Sequence, residues 1–304
     1  MKNLKTLMAA LVVTTGLIFT SCDDNDNEMD GQGSVRVEAT DAAVDAQNIS
    51  GVYLSVEEVQ VIANGEVKNT ITFDQPEEFN LMAYQNGQTK LLGEATVDAG
   101  TYDEIRLMLT SNAQAWVEFT DNTTQEIKVP SGSSSGYKIM GDFEVLANGM
   151  SEVVLDVDLR KALVKKGNGE FNLRPTARLV SKAEAGSIQG NVDMSDYSDA
   201  DKVVVYAYLK GTYDDSEAGE PADGSSRFEG SINSAVATST GNFTLAFMPE
   251  GEYEIVVAEY DEETLSNETN FEAATKVQVE IGGELMSVFN VEARTTLNLL
   301  IDIF

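Results

Sequence analysis

Short runs of alternating apolar and polar residues, separated by turn residues, recur along most of this chain. Near the start, Val35, Val37 and Ala39 alternate with polar side chains. A period of two places the apolar side chains on one face of a β-strand. Asn64-Gly65 separates two such runs and is typical of a two-residue hairpin turn. Many short strands at this close spacing predict an all-β protein built from sandwiches or barrels.

The residue types that are missing exclude many activities. The chain contains no histidine and a single cysteine, Cys22. This composition excludes catalysis by histidine, the Ser-His-Asp triad and metal sites ligated by histidine. Carboxylate chemistry, a Ser-Lys pair or a cofactor site remain for an enzyme. Because the chain has 51 Asp and Glu residues, a carboxylate pair arises easily by chance. We therefore predict that the protein is not an enzyme and has no cofactor.

The N-terminal 21 residues are typical of a secretory signal. Lys2 and Lys5 precede the apolar run Leu7–Phe19, which is too short to span a bilayer comfortably. The run leads into Cys22, as in bacterial lipoprotein signals, where the cysteine becomes the lipidated first residue. We predict a signal peptide over 1–21 and an outer-membrane lipid anchor on Cys22, with acyl groups such as palmitate. A plain signal peptide with a chance cysteine is the alternative.

Residues 22–32 carry an acidic cluster without apolar periodicity, which predicts a flexible tether. The cluster resembles the export signal that sends lipoproteins of Bacteroidota to the outer face of the outer membrane. A solvated spacer without further meaning is the alternative. The formal net charge of −31 disfavours nucleic acid as a partner, because phosphate would be repelled.

Residues 33–181 combine several short motifs in a fixed order. These are Gly33-Ser34-Val35-Arg36-Val37, Ala99-Gly100-Thr101-Tyr102-Asp103-Glu104-Ile105, Ile127-Lys128-Val129-Pro130-Ser131-Gly132, Leu155-Asp156-Val157-Asp158 and Leu173-Arg174-Pro175. Together they resemble an N-terminal lipoprotein domain of unknown function that is widespread in Bacteroidota and other bacteria. The resemblance implies a secreted β-rich module and brings no catalytic residues.

After a small, polar linker at 181–186, a second β pattern covers 187–304. Its motifs are Gly190-Asn191-Val192, Val203-Val204-Val205-Tyr206-Ala207, Gly241-Asn242-Phe243 and Pro249-Glu250-Gly251-Glu252-Tyr253-Glu254-Ile255. This series resembles the carboxypeptidase regulatory-like, prealbumin-type β-sandwich, a fold grouped with carbohydrate-binding-like modules. The resemblance implies a sandwich that is often only a structural spacer. We therefore expect two tandem β-sandwich domains.

Aromatic side chains are the candidate ligand-binding residues, since sugars stack on exposed rings beside carboxylates and amides. In the strand 203–209, Tyr206 and Tyr208 share the face opposite the apolar one, and Tyr213 follows in the adjoining loop. These three tyrosines would form a stacking platform. Alternatively, Tyr206 and Tyr208 cover that face against a neighbouring domain. Trp116 is a second candidate, with a place in the core as its alternative.

Acidic groups on predicted loops are candidate calcium ligands. Oxygen-rich loops hold calcium, although exposed acidic loops are more often merely solvated. The two clusters are Asp196, Asp199 and Asp201, and Asp214, Asp215 and Glu217. Asp156 and Asp158 form another carboxylate pair on one strand face. They adjoin a predicted short helix at 158–165, so helix capping accounts for one of them.

The C-terminal run 295–304 is strongly β-forming with few charges, and it must therefore pair with a neighbour. It either closes the second sandwich or adds to the sheet of another subunit. The sequence thus predicts a lipid-anchored outer-membrane protein facing the cell exterior. We expect a non-enzymatic binding module for a carbohydrate or a protein outside the cell. The alternative is a fimbrial or adhesin-type subunit that assembles through its C-terminal strand.

Overall fold

The computed structural model describes residues 31–301, apart from 43–48, 112–113, 131, 133, 198–199, 201, 222–224, 263–268, 278 and 282–283. The predicted signal peptide, Cys22 and the tether as far as residue 30 lie outside the described residues, as do Asp199 and Asp201. None of the helices in the described ranges is long and apolar enough to cross a membrane.

Most of the described residues lie in strands. The strands up to the linker are β1 Gln32–Ala42, β2 Ile49–Ala63, β3 Glu66–Asn80, β4 Lys90–Asp98, β5 Gly100–Leu109, β6 Ala115–Phe119, β7 Thr124–Lys128, β8 Tyr137–Val145, β9 Met150–Asp158, β10 Leu163–Lys165, β11 Phe171–Leu173 and β12 Ala177–Ser181. The remaining strands are β13 Ala185–Val192, β14 Lys202–Leu209, β15 Asn233–Val236, β16 Asn242–Pro249, β17 Gly251–Glu262, β18 Thr269–Lys276, β19 Val279–Ile281, β20 Glu284–Met286, β21 Phe289–Val291 and β22 Thr296–Ile301. Among the described residues, helices are limited to α1 Leu159–Ala162 and the 3-10 turns Leu81–Ala83 and Asp215–Ala218.

Two sheets form the first sandwich. A four-stranded sheet has the order β12-β9-β1-β4, and an eight-stranded sheet has the order β10-β11-β7-β6-β2-β5-β8 with β3 also paired to β2. Alternating apolar side chains from both sheets, such as Val35, Leu54, Ile105 and Leu155, form one buried core between them. The predicted all-β fold class is confirmed.

The second sandwich packs a three-stranded sheet, β16-β13-β22, against a five-stranded sheet. Four strands of the larger sheet have the order β15-β14-β17-β18, and the fifth strand, β21, also pairs with β17. Strand β22 runs parallel to β13, with Ser187 opposite Thr296 and Val192 opposite Ile301. Over residues 296–301, the C-terminal run therefore closes the second sandwich of its own chain, as one of the two predicted alternatives has it.

The predicted hairpin at Asn64-Gly65 joins β2 to β3. Asn64 has a φ of 54° and Gly65 a φ of 77°. Positive φ at both central positions is typical of a type I′ turn, whose twist matches that of the paired strands. Asn and Gly adopt this conformation at low cost, and the hairpin prediction is therefore confirmed.

Each sandwich also contains one glycine-x-tyrosine turn. Gly100 and Gly251 have φ values of 154° and 158°, a region that side chains with a Cβ rarely adopt. Two residues later, Tyr102 and Tyr253 are buried, and each hydroxyl donates a hydrogen bond to the backbone carbonyl four residues earlier, at 2.7 and 2.6 Å. The tyrosines therefore fix the chain where it enters β5 and β17.

The two sandwiches are in direct contact through α1. The Arg160 guanidinium donates a hydrogen bond to the Phe228 carbonyl at 2.9 Å, and the Lys161 ammonium donates one to the Ser231 carbonyl at 2.6 Å. A second contact comes from Asn86, whose Oδ1 accepts a hydrogen bond from the backbone of β16 at 3.2 Å. The first sandwich therefore supplies polar partners to backbone groups of the second.

Candidate functional site

Tyr206 and Tyr208 lie on the predicted face of β14, opposite the core of the second sandwich, but that face is covered. Both side chains are 0% exposed. The Tyr206 ring stacks on Phe228 with centroids 4.4 Å apart, and its hydroxyl shares a hydrogen bond of 2.7 Å with that of Tyr260. The Tyr208 hydroxyl donates to Glu217 Oε2 at 2.7 Å. Buried rings offer no surface to a sugar, so the predicted stacking platform is wrong.

The cover comes from the connection between β14 and β15, whose described residues 210–221 and 225–232 are here called the cover segment. Phe228 from this segment lies in a second apolar cluster with Tyr206 and Tyr208 of β14 and Tyr260 of β17. Tyr213 packs edge-on against Tyr208 at 5.0 Å, so it is part of the cover as well. From the first sandwich, the Arg160 guanidinium lies 5.1 Å from the centre of the Tyr206 ring. The alternative, in which Tyr206 and Tyr208 cover this face against a neighbouring domain, is correct in part, since both are buried but most of the cover comes from their own domain.

Burial and the Glu217 carboxylate raise the pKa of Tyr208 far above its ordinary value. Desolvation disfavours a phenolate, and the adjacent carboxylate disfavours a second negative charge. The Tyr208 hydroxyl is therefore a permanent hydrogen-bond donor that fixes Glu217. The same carboxylate also accepts a hydrogen bond from the Gly230 backbone at 2.9 Å, so it ties two parts of the cover segment together.

Trp116 forms an aromatic pair with Tyr53 on the outer face of the eight-stranded sheet. Trp116 of β6 is directly opposite Tyr53 of β2 in the strand pairing. The ring centroids are 5.1 Å apart and the ring planes differ by 3°, so the two rings are stacked. Both side chains are half-buried, and the neighbouring Leu54 and Val117 point into the core instead. Unlike the tyrosines of β14, this aromatic pair reaches solvent.

Two neighbours hold Tyr53 in place. Its hydroxyl donates a hydrogen bond to Glu118 Oε2 at 2.8 Å, which raises the pKa of Tyr53. Gly51 lies beneath the ring, since a Cβ at this position would come within 2.6 Å of Tyr53 Cε2. A larger residue at position 51 would therefore push the ring out of the stack.

A shallow depression of about 370 Å³ adjoins the aromatic pair. It is lined by Trp116, Ala115, Thr124, Glu78 and Glu126, and both carboxylates are exposed. None of these five residues is basic. Open aromatic rings beside carboxylates have the composition of a site that stacks a flat polar ring and hydrogen-bonds its hydroxyl groups.

The acidic loops have structural partners. Asp214 Oδ1 accepts a hydrogen bond from the Ser216 backbone and caps the 3-10 turn, and Glu217 is bound to Tyr208. Within the described ranges, no group of three or more acidic, cysteine or histidine residues is arranged to hold a metal ion. Asp199 and Asp201 lie outside these ranges, so calcium at that loop stays a prediction.

Asp156 and Asp158 are buried at the end of β9, where they are paired with cations. Asp156 forms an ion pair with Arg178, and Asp158 lies 2.9 Å from Arg160 and 3.3 Å from Lys161. Burial raises the pKa of Asp156. Burial alone would also raise the pKa of Asp158, but the two adjacent cations lower it. Both carboxylates are therefore held in ion pairs near the junction between the sandwiches.

Helix α1 is capped by Asp41 of β1. The side chain of Asp158, at the N-cap position, makes no capping hydrogen bond. Instead, Asp41 Oδ1 accepts a hydrogen bond from the Leu159 backbone at 3.3 Å, and Gln85 donates to Oδ2 at 3.0 Å. Burial raises the pKa of Asp41 well above its ordinary value. The prediction that capping explains one of the two carboxylates on β9 is wrong, because a carboxylate from the neighbouring strand β1 takes this role.

The fold and this outer face define an all-β protein of two sandwiches with an open aromatic pair. Residues 32–175 match the family model described as a domain of unknown function, DUF4382. The matched range includes the aromatic pair and most of the first sandwich. No curated protein matches the chain significantly.

Solved structures show distant likeness to this chain. The TIE protein of Bacillus anthracis is 12% identical with a TM-score of 0.20, and the match covers 89% of this chain but 33% of that protein. A candidate carbohydrate binding protein from Pseudomonas aeruginosa is 14% identical with a TM-score of 0.23, covering 40% of this chain and 90% of that one. BcpA, the major pilin subunit of Bacillus cereus, is 8% identical with a TM-score of 0.20, covering 89% and 70%. TM-scores this low carry no argument about function.

Proposed function

We propose that this protein is a non-enzymatic binding module that holds a carbohydrate outside the cell. It is anchored to the outer membrane through a lipid on Cys22, and the second sandwich supports the first as a rigid partner. The ligand stacks on the aromatic pair Tyr53 and Trp116 and forms hydrogen bonds with the carboxylates beside it.

One observation carries this proposal: the aromatic pair is half-buried on a sheet face that points away from the core. Stacked rings lose little side-chain freedom when a ligand binds, because their neighbours already hold them. Gly51 and Glu118 hold Tyr53, and Tyr53 holds one face of Trp116. The aromatic pair is therefore preorganised for a flat ligand.

Binding without catalysis agrees with the state of the carboxylates. Asp156 and Asp158 are paired with arginine and lysine in the junction, away from the depression. At the depression, Glu78 and Glu126 are exposed to solvent.

Assembly through the C-terminal strand is the less favoured function. Strand β22 already pairs with β13 of its own chain from Thr296 to Ile301. Donating this strand to another subunit would break those backbone hydrogen bonds and open the core around Leu299 and Ile301. A strand reserved for another subunit would instead be left without a partner in its own chain.

The proposal is tested by glycan arrays and by calorimetry on the protein purified in detergent. We expect saturable binding to at least one glycan, with loss of binding in Trp116→Ala and partial retention in Trp116→Phe, which keeps a ring. Tyr213→Ala is the matched control, because Tyr213 is an aromatic residue of the cover segment. Absence of binding to all glycans, or equal binding by Trp116→Ala, would contradict the proposal.

The anchor is tested separately by cell fractionation. We expect the protein in the outer-membrane fraction, accessible to protease added to whole cells, because acylated Cys22 holds it there. Cys22→Ser should move it to the soluble fraction, while Ser21→Ala, a neighbouring change that keeps the cysteine, should leave it in the membrane. A Cys22→Ser protein that stays in the membrane would contradict the lipid anchor.

A further inference from the structure

We infer that the aromatic pair selects glycans that carry a free, protonated amino group over neutral and anionic glycans. This inference rests on the proposed function and adds the ligand class. It follows from three carboxylates around the pair, Glu78, Glu118 and Glu126, here called the acidic rim.

The acidic rim encloses the aromatic pair from both sides. Glu126 of β7 is directly opposite Trp116 in the pairing of β6 with β7. On the other side of β2, Glu78 of β3 is opposite Ser55, two residues beyond Tyr53. Glu118 is held next to the pair by the Tyr53 hydroxyl at 2.8 Å. A ligand stacked on Trp116 therefore lies between carboxylates.

Basic side chains do not neutralise this rim within its own strands. Strands β2, β3, β6 and β7 contain two basic residues, Lys68 and Lys128. Lys68 forms an ion pair with Glu66 at 2.7 Å, near the hairpin at the other end of β3. Lys128 is exposed at the end of β7 and does not line the depression. The negative charge beside Trp116 is therefore available to a ligand.

An amino sugar matches both parts of this site. Its ring has a flat apolar face for Trp116, and its ammonium group is attracted to carboxylates and to the face of an aromatic ring. Uronic and sialic acids would bring a carboxylate to the acidic rim and be repelled. A neutral sugar keeps the stacking and loses the charge attraction, so it should bind more weakly without being rejected.

Calorimetry with matched oligosaccharides tests the inference. The probes are a glucosamine hexamer, the N-acetylglucosamine hexamer of the same linkage and a galacturonic acid oligomer, at a pH at which the amine is protonated. We expect the glucosamine hexamer to bind roughly fivefold to tenfold more tightly than the acetylated one, since exposed ion pairs contribute modestly. The difference should shrink at high salt, and the galacturonate should not bind.

The double variant Glu78→Gln/Glu126→Gln should bind the two hexamers with similar affinity, because the amide side chains carry no charge to attract the amine. Glu144→Gln/Glu250→Gln is the control, because it removes two exposed carboxylates elsewhere and gives the same net charge. An equal loss of preference in the control would overturn the inference, since bulk charge would then be the cause. Equal affinity of the parent protein for both hexamers would overturn it while leaving the proposed function intact.

Trp116 is the only tryptophan in the chain, so its fluorescence reports on the acidic rim without any sugar. We expect caesium to quench it more strongly than iodide, with the difference reduced in Glu78→Gln/Glu126→Gln and kept in the control. Equal quenching by the two ions would overturn the inference. If neither hexamer binds while another glycan on the array does, the inference fails and the proposed function stands. A lysine-rich peptide that binds as tightly as the glucosamine hexamer would overturn the choice of an amino sugar.

Discussion

The two sandwiches each place aromatic side chains on a sheet face that points away from the core, but only one of these faces is open. In the first sandwich, Tyr53 and Trp116 stack on each other and reach solvent. In the second, Tyr206 and Tyr208 occupy equivalent outward positions and are fully buried. The difference lies in the cover segment, which returns over the second face. Alternation assigns a side chain to a face, but it does not say whether the chain later covers that face.

This difference determines which hydrogen-bond partners the aromatic side chains need. A buried tyrosine hydroxyl needs a hydrogen-bond partner inside the protein, and Tyr260 and Glu217 supply one to Tyr206 and Tyr208. The half-buried pair needs fewer internal partners, because water is available. Aromatic residues of the second sandwich therefore contribute to stability, and those of the first contribute a surface.

The largest expected effect of this contrast is on stability. Phe228→Ala should lower the free energy of unfolding by about 3–5 kcal/mol, because it removes the ring that stacks on buried Tyr206. Trp116→Ala should lower it by about 1 kcal/mol, since one face of its ring contacts a partner. Urea unfolding followed by circular dichroism measures both, with Phe228→Leu as a milder control. Equal losses of unfolding free energy in the two alanine variants would contradict this difference between the covered and the open face.

Arg160 should be the next most sensitive position. Its side chain is 0% exposed and is paired with Asp158 beneath the cover segment. Arg160→Ala should cost about 3 kcal/mol, because it leaves a buried carboxylate with less compensation. Hydrogen exchange should also become faster at 225–232, where the Phe228 carbonyl loses a donor.

The matched control for Arg160 is Lys166→Ala, at an exposed ion pair with a distance of 3.8 Å to Glu170. This substitution should cost less than about 1 kcal/mol. Unchanged hydrogen exchange in the cover segment of Arg160→Ala would show that the first sandwich does not hold the cover in place.

A smaller effect concerns Asp41, which caps the helix that carries Arg160. Burial raises its folded pKa well above 3.8, so the folded state binds a proton that the unfolded state releases. This contribution to stability is full below the unfolded pKa and is lost as the pH rises through the folded one. Asp41→Asn should therefore flatten the dependence of stability on pH, because an amide does not titrate.

Thermal unfolding across the acidic to neutral range measures the Asp41 effect. Asp121→Asn is the control, since Thr123 lowers the pKa of this exposed aspartate and its slope has the opposite sign. If the thermal stability of Asp41→Asn depends on pH as steeply as that of the parent protein, Asp41 is not the group that titrates in the junction.

Local chemistry made much of the fold predictable. Asn64-Gly65 determines a hairpin by its own backbone preference, and alternation correctly separates Val205 from Tyr206 on β14. These features depend on residues a few positions apart. The fold class and the strands therefore follow from the sequence.

The site depended on contacts between distant residues, and these were not predictable. Trp116 was a candidate from its residue type, but its partner Tyr53 was missed because the pairing of β2 with β6 is not visible in either strand alone. The cover over Tyr206 comes from Phe228, and the helix cap comes from Asp41, 118 residues before Leu159. The alternating run around Tyr53 was the one available signal, since it places this ring outward.

We propose that the aromatic pair of the first sandwich, rather than the tyrosines of the second, receives the ligand. Fluorescence of Trp116, the only tryptophan, tests it most directly during titration with a glycan that binds by calorimetry. We predict that Trp116 emission changes saturably with the affinity found by calorimetry, and that the bound glycan protects Trp116 from quenching by acrylamide. Tyr206→Phe should give the same result. Heat of binding without any change in Trp116 emission, or loss of binding in Tyr206→Phe, would contradict the account.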